Sequence, residues 1–241
     1  MARKTNIEWT DMTWNPVTGC TKISPGCKHC YAETMAKRLV AMGSLRYRAG
    51  FKLSRQEDLV DLPRRWRAPR MVFVNSMSDL FHDEVPTSYI ARVFRTMEEC
   101  PQHTFQVLTK RAERLLEVAP TLKWSPNIWI GVSVENQKFA SRITLLQQVP
   151  AYVRFLSIEP MLGPIDYLPL KGIHWVIVGG ESGRNARPLE REWVVSVFHQ
   201  CRAARVPFFF KQWGGVRKHV TGRKIFGRIY DEMPAARAGT A

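Results

Sequence analysis

Six short runs of β-branched, aliphatic and aromatic residues recur along this chain, and each leads through polar or glycine-rich residues into a helical pattern. They occupy residues 71–74, 104–108, 128–132, 153–158, 175–178 and 207–210. Short runs that are apolar on both faces belong to strands covered on both sides, as in a parallel sheet. A strand around Trp14–Thr18 makes a seventh. Between the runs, apolar residues switch to helical spacing. Over Cys30–Met42 a stripe of Ala32, Met35, Ala36, Leu39 and Val40 ends at Gly43, and further helices are expected over Tyr89–Glu99, 110–118, 136–148 and 190–204. Strands alternating with helices define an α/β chain with a parallel sheet.

Such a sheet is either doubly wound, with its site at one switch point, or curled into a barrel, with function spread over the strand carboxyl ends. Polar residues follow nearly every run: Asn75, Ser76, Ser78 and Asp79; Thr109 and Lys110; Ser133 and Glu135; Glu159; Glu181 and Ser182; Lys211 and Gln212. That spread favours an α/β fold built as a partial parallel (β/α) barrel of about six or seven strands. One domain is expected over residues 1–233, with a disordered tail over 234–241. Cys201 falls on a helical apolar stripe and reads as core, and Asp79 as a helix cap. His82 and His103 read as ordinary loop histidines, and Trp9, Trp14, Trp175 and Trp213 as packing residues. Glu159 reads equally as a site residue or as a cap or salt bridge beneath the rim, and Lys211 equally as a site residue or as the ion-pair partner of either Glu159 or Glu181.

The chemistry-bearing feature is a loop. Cys20, Cys27 and Cys30 lie within Gly19–Tyr31, punctuated by Pro25 and Gly26, whereas Cys100 and Cys201 stand alone. Thiolates select iron–sulfur clusters, zinc or copper(I) over hard cations. Cluster and zinc are the two readings. A zinc site needs a fourth ligand, no second cysteine pair exists, and His29 beside Cys30 would strain a shared tetrahedron. A cubane cluster on three thiolates keeps one iron open to a cosubstrate. The odd cysteine count, and a first stretch Met1–Asn6 without an apolar segment, point to a reducing, cytoplasmic setting. No apolar run approaches the ~20 residues that span a bilayer.

The formal net charge of +15 points to a polyanionic partner, nucleic acid first. Arg46-Tyr47-Arg48 and the Pro63–Arg70 stretch set cations beside aromatics, suited to phosphate contact and base stacking, and a third basic stretch runs over Arg217–Arg228.

Cys27-Lys28-His29-Cys30-Tyr31 resembles the second half of the cysteine signature of radical S-adenosylmethionine enzymes, with His29 at an aromatic position. Two departures stand out. Six residues separate Cys20 from Cys27, a wider gap than usual, and Asn75, Ser76 and Ser78 stand where the superfamily carries Gly-Gly-Glu. The whole chain more closely resembles the phage Gp37/Gp68-like family of uncharacterised proteins, itself distantly similar to spore photoproduct lyase, a radical enzyme of DNA repair. The resemblance rests on Ile7–Thr10, Trp14–Cys20, Phe155–Pro160, Val178–Gly183 and Phe210–Gly214.

The resemblance implies a [4Fe–4S] cluster on Cys20, Cys27 and Cys30, and S-adenosylmethionine cleaved to a 5′-deoxyadenosyl radical. It implies an electron donor such as flavodoxin or ferredoxin, and modification or repair of nucleic acid. Asn75, Ser76, Ser78, Ser133 and Glu135 are then expected to hold the cosubstrate. Glu159, Glu181 and Lys211 are expected to be catalytic, with Gln212 beside them on the substrate side. The alternative is a zinc-stabilised nucleic-acid-binding protein without catalysis.

Overall fold

The structure, a computed structural model, describes residues 5, 7–216 and 218–235. In chain order its strands are β1 (Met12–Trp14), β2 (Val17–Thr18), β3 (Ser54–Arg55), β4 (Met71–Val74), β5 (Thr104–Thr109), β6 (Ile128–Ser133), β7 (Val153–Ile158), β8 (Trp175–Gly179), β9 (Phe208–Gln212), β10 (Lys224–Ile225) and β11 (Arg228–Ile229). Its helices are α1 (Tyr31–Ala41), α2 (Thr87–Glu98), α3 (Ala112–Val118), α4 (Ser141–Gln147), α5 (Arg191–Ala204) and the single turn α6 (Lys218–Thr221).

One seven-stranded sheet runs in the order β1-β4-β5-β6-β7-β8-β9, every neighbouring pair parallel. Each new strand joins the same edge, so the sheet curls one way into an open barrel instead of winding outward from a switch point. The expected partial barrel is therefore the observed one. The first strand differs from expectation. It stops at Trp14, because Pro16 has no N–H to continue the ladder, and Val17–Thr18 turns aside to pair antiparallel with Ser54–Arg55.

Alternate residues of each strand divide between two cores. Val72, Val74, Phe105, Val107, Ile130, Val132, Val176 and Phe210 face outward onto Val93, Phe94, Leu115, Ile143, Val194 and Val197 of α2–α5. Trp9, Phe73, Trp129, Val153, Phe155, Trp175, Ile177 and Phe209 fill the concave inner face. Trp175 sits at its centre, with Trp9, Trp129, Phe155 and Phe209 within 5.7–6.2 Å. Each such ring buries roughly 150–250 Å², or about 4–6 kcal/mol of hydrophobic driving force before entropy is counted. Gly131 in β6 makes room for this plug: a Cβ there would lie 2.5 Å from the Phe155 ring. The aromatic plug thus fills the concave face towards the strand amino ends.

α1 departs from the expected packing. Only Ala32 and Ala36 are buried, against Tyr47 and Met77, while Met35 and Val40 are exposed. Small side chains let the helix backbone lie close to the body; Leu39 packs partly against the same cluster, and Met35 and Val40 turn outward. The tail expected over 234–241 lies outside the described residues from 236 onward, as does Arg217 in the third basic stretch.

Candidate functional site

The cysteine loop sits on the carboxyl-end rim because its base is pinned there. Asn75, directly after β4, adopts a left-handed conformation (φ 60°), and its side-chain oxygen accepts the Val17 N–H at 3.2 Å. Ser78 donates its hydroxyl to the Val17 carbonyl at 2.7 Å, and the Gly19 N–H reaches the Met77 carbonyl at 3.0 Å. Gly19 has φ 79°, and a Cβ there would meet the Lys52 carbonyl at 2.1 Å, so only glycine lets the two segments pass. Ser76 donates to Asn15 at 3.2 Å, and its carbonyl accepts the Tyr31 hydroxyl.

Three acid–base clusters then clamp the loop. Buried Glu135 binds Arg142 at 2.9 Å and accepts the Ser24 hydroxyl, while Gly26 lies so close that a Cβ would meet the carboxylate at 2.6 Å. Glu181 takes the His29 ring at 3.0 Å together with the Arg187 backbone N–H, Nε and Nη2 at 3.0, 2.9 and 2.5 Å. The same guanidinium donates to the Pro25 carbonyl at 3.0 Å. Burial pushes the Glu181 carboxyl up, but the Arg187 and His29 bonds outweigh it and hold it down at about 2. Thr21 is gripped by Arg111 at 2.7 Å and by His82 at 2.9 Å. Asp79 accepts the Thr109 hydroxyl, the Lys110 N–H and the Phe81 N–H at 2.7–3.1 Å, so it braces the β4 and β5 ends instead of capping α2.

Cys20, Cys27 and Cys30 are free thiols of intermediate exposure. Burial and the nearby Asp79 charge push the Cys20 thiol up to about 11. Burial also acts to raise Cys27, yet hydrogen bonds from the Ile23 and Ser24 backbone and the Ser24 hydroxyl bring it below the usual thiol range. The Ser24 Oγ to Cys27 Sγ distance is 3.6 Å. Among the described residues, no three His, Cys, Asp or Glu side chains gather closely enough to hold one metal ion. The donor set is soft, and a cubane takes each thiolate on a different iron, so three cysteines need not converge on a single ion. By donor chemistry the loop fits a cluster.

The concave face above the aromatic plug carries Ser133, Ser157, Gly179 and Lys211 on successive strands. The buried Ser133 hydroxyl has no hydrogen-bond partner. Lys211 pairs with Glu159 at 2.8 Å, each side chain about one-sixth exposed, and Gly179 leaves space for the carboxylate, which a Cβ would meet at 3.1 Å. Gln212 faces the outer side and donates to Ser182 at 2.5 Å. Gly180 and Gly214 let the loops after β8 and β9 cross in contact, since a Cβ on Gly180 would fall 2.2 Å from the Trp213 carbonyl.

The structure therefore brings Cys20, Cys27, Cys30, Asn75, Ser76, Ser78, Ser133, Glu135, Glu159, Glu181 and Lys211 to one rim. Within it, Asn75, Ser76, Ser78, Glu135 and Glu181 hold backbone or loop, whereas Ser133, Glu159 and Lys211 lie on the concave side, Ser133 fully buried. Sequence reasoning passed over Ser24, Arg111, Arg142 and Arg187. Ser24 and Arg111 meet Glu135 and Thr21 across 111 and 90 residues, whereas Arg142 and Arg187 pair with Glu135 and Glu181 seven and six residues away, spacings with no helical or strand signature; only Arg111, directly after Thr109-Lys110, carries a positional hint.

Of the basic stretches, Pro63–Arg70 enters β4 at its amino end, opposite the cysteine rim, and Arg64 is bridged there to Asp61 and Glu99. Arg46 and Arg48, between α1 and β3, lie on the rim side, as do Arg223, Lys224 and Arg228 after β9. No helix among the described residues is long and apolar enough to cross a membrane.

No curated protein matches the chain. Among solved structures, spore photoproduct lyase in a cysteine-to-serine mutant form is similar in fold, with a TM-score of 0.50 at 13% identity over 74% of this chain. The match spans 58% of that enzyme's length. The model of one family, described as a protein of unknown function (DUF5131), covers residues 4–234, and the chain belongs to that family.

Proposed function

We propose that this chain is a radical S-adenosylmethionine enzyme that modifies or repairs nucleic acid. The observation that carries the reading is three free thiols on one clamped loop, at the carboxyl-end rim of a partial parallel barrel whose concave face is filled below by aromatic rings. The fold likeness to spore photoproduct lyase, a radical S-adenosylmethionine enzyme, supports it.

Cys20, Cys27 and Cys30 would hold the [4Fe–4S] cluster. With S-adenosylmethionine bound, such a cluster supplies one-electron cleavage of a sulfonium and hydrogen abstraction from an unactivated C–H bond. The rest falls to the protein. Glu135 and Arg142, and Glu181 and Arg187, fix the loop so that the thiols keep their places. The unpartnered Ser133 hydroxyl offers a donor or acceptor to a polar group of the cosubstrate. Lys211 Nζ and Glu159, paired at 2.8 Å on the concave side, can hold a proton or a polar edge of the substrate while the aromatic plug excludes water from below. The exposed Arg48, Lys224 and Arg228 supply cations on the rim side for a phosphate backbone. The setting is cytoplasmic, with an electron donor of the flavodoxin or ferredoxin class.

Reduced, reconstituted protein with S-adenosylmethionine is expected to yield 5′-deoxyadenosine, faster with DNA or RNA present. Absence of that product from protein that holds a full cluster would remove the radical reading. Product formation indifferent to both nucleic acids would remove the substrate class. Stoichiometric zinc without cluster would favour the binding-protein alternative.

A further inference from the structure

Arg111 is buried beside the cysteine loop, and one of its N–H groups goes unused. It follows β5 and stands directly before α3, with its side chain 7% exposed. Its backbone N–H donates to the Thr109 hydroxyl at 2.9 Å, and that hydroxyl is itself bound to Asp79 at 2.7 Å. Nη1 donates to Asp83 at 2.8 Å and Nη2 to the Thr21 hydroxyl at 2.7 Å, where the His82 ring also bonds at 2.9 Å. Nε is enclosed and has no hydrogen-bond partner. Folded proteins rarely leave a buried donor unpaired, so such a group calls for a physical reason.

The neighbour that supplies one is Cys20. Thr21, which Arg111 grips, is the next residue, and the guanidinium lies close enough to the Cys20 thiol for its hydrogen bond and its charge both to favour the thiolate. The opposing charge near Cys20 is Asp79, whose oxygens are already taken by Thr109, Lys110 and Phe81. Asp83 has a side chain 71% exposed, so water screens much of its charge. Cys27 is served differently, by the Ser24 hydroxyl. Arg111 is thus a fixed cation, with an N–H to spare, at the first cysteine of the loop.

We infer that Arg111 sets the reduction potential of a cluster held by the loop, by donating to the Cys20 sulfur and by keeping a positive charge beside it. The inference rests on the cluster reading. A cubane core on three thiolates is already an anion, and the electron it accepts from a reductant adds one more negative charge. A buried guanidinium beside it favours the more negative state, and hydrogen bonds to the sulfurs do the same. Arg111 neither gains nor loses a proton in that step. Anchored by Asp83 and Thr21, it has no need to reorient when the electron arrives.

The test reconstitutes the full chain anaerobically, without S-adenosylmethionine, and counts iron and sulfide. The EPR signal of the reduced cluster is then titrated against a potential set by dithionite and mediator dyes. Arg111→Gln is expected to lower the ratio of reduced to oxidised cluster about tenfold at fixed potential, a midpoint about 59 mV more negative. Arg111→Lys keeps the charge, loses the fork and should fall between that variant and wild type. Asp83→Asn removes an exposed acid and should move the ratio upward, by about twofold. Arg65→Gln loses the same charge at the far end of the barrel and should leave the midpoint in place. A purely structural Arg111 would change the iron count and not the midpoint. A full cluster in Arg111→Gln with the wild-type midpoint, or a downward shift in Asp83→Asn, overturns the inference and leaves the cluster reading standing. If Arg111→Gln loads no cluster, wild-type midpoints in both Arg111→Lys and Asp83→Asn overturn it. Wild type that takes up neither iron nor sulfide removes the cluster reading, and the inference with it.

Discussion

Glu181→Gln tests the clamp on the cysteine loop. The carboxylate receives His29, the Arg187 backbone and two Arg187 side-chain nitrogens, and its side chain is 5% exposed. Its pKa is held from 4.5 down to about 2, which at 1.36 kcal/mol per unit corresponds to about 3 kcal/mol at neutral pH. Arg187 keeps 29% of its side chain in water, which offsets part of the loss, so about 2–3 kcal/mol is expected. The sign fixes a second signature. A carboxylate with a depressed folded pKa stabilises above the unfolded value of 4.5, and that stabilisation fades as pH falls towards 2. The gap between wild type and Glu181→Gln in urea unfolding should be constant from pH 8 to 6 and narrower by about 1 kcal/mol at pH 4. Hydrogen exchange over Pro25–Cys30 should rise in the variant. A gap below about 0.5 kcal/mol, or one identical at pH 7 and pH 4, would refute the clamp.

Three further perturbations probe other parts of the account. Gly131→Ala forces a methyl into the Phe155 ring, which Trp175 backs, and should cost about 1–3 kcal/mol by thermal unfolding; an unchanged midpoint would mean the plug is loosely packed. Lys211→Met leaves the Glu159 carboxylate without its partner and should lower stability in urea unfolding, while Glu159→Gln/Lys211→Met should recover most of the stability lost; equal stability of the single variant and wild type would break the pairing. Lys224→Gln and Arg228→Gln should each lower the salt slope of nucleic-acid binding by about 1, while Arg65→Gln and Arg67→Gln leave it unchanged; the reverse ranking would move the interface to the far end.

The sheet was legible because strands buried on both faces write continuous apolar runs, and β4, β7 and β8 begin where those runs do. The barrel followed from polar residues at each strand end. What the sequence concealed has two physical causes. Helical spacing does not say which face is covered, so Met35 and Val40 read as core although the close approach of α1 is made by Ala32 and Ala36. Side-chain partners are set by three-dimensional closure: Ser24 meets Glu135 across 111 residues, and His29 meets Glu181 across 152. Residues expected to hold ligands, such as Ser78 and Glu135, make loop contacts that no local pattern encodes. Lys211 could have paired with either glutamate, and the inward face of β9 gave it to Glu159.

The central claim is that the three-cysteine loop holds an iron–sulfur cluster. Anaerobic reconstitution followed by iron, sulfide and zinc counts on wild type and on Cys20→Ala, Cys27→Ala and Cys30→Ala tests it most directly. The account predicts about four irons and four sulfides per wild-type chain, falling in each variant while circular dichroism stays native. One zinc per chain with no bound sulfide, or a cluster that survives all three substitutions, would contradict it.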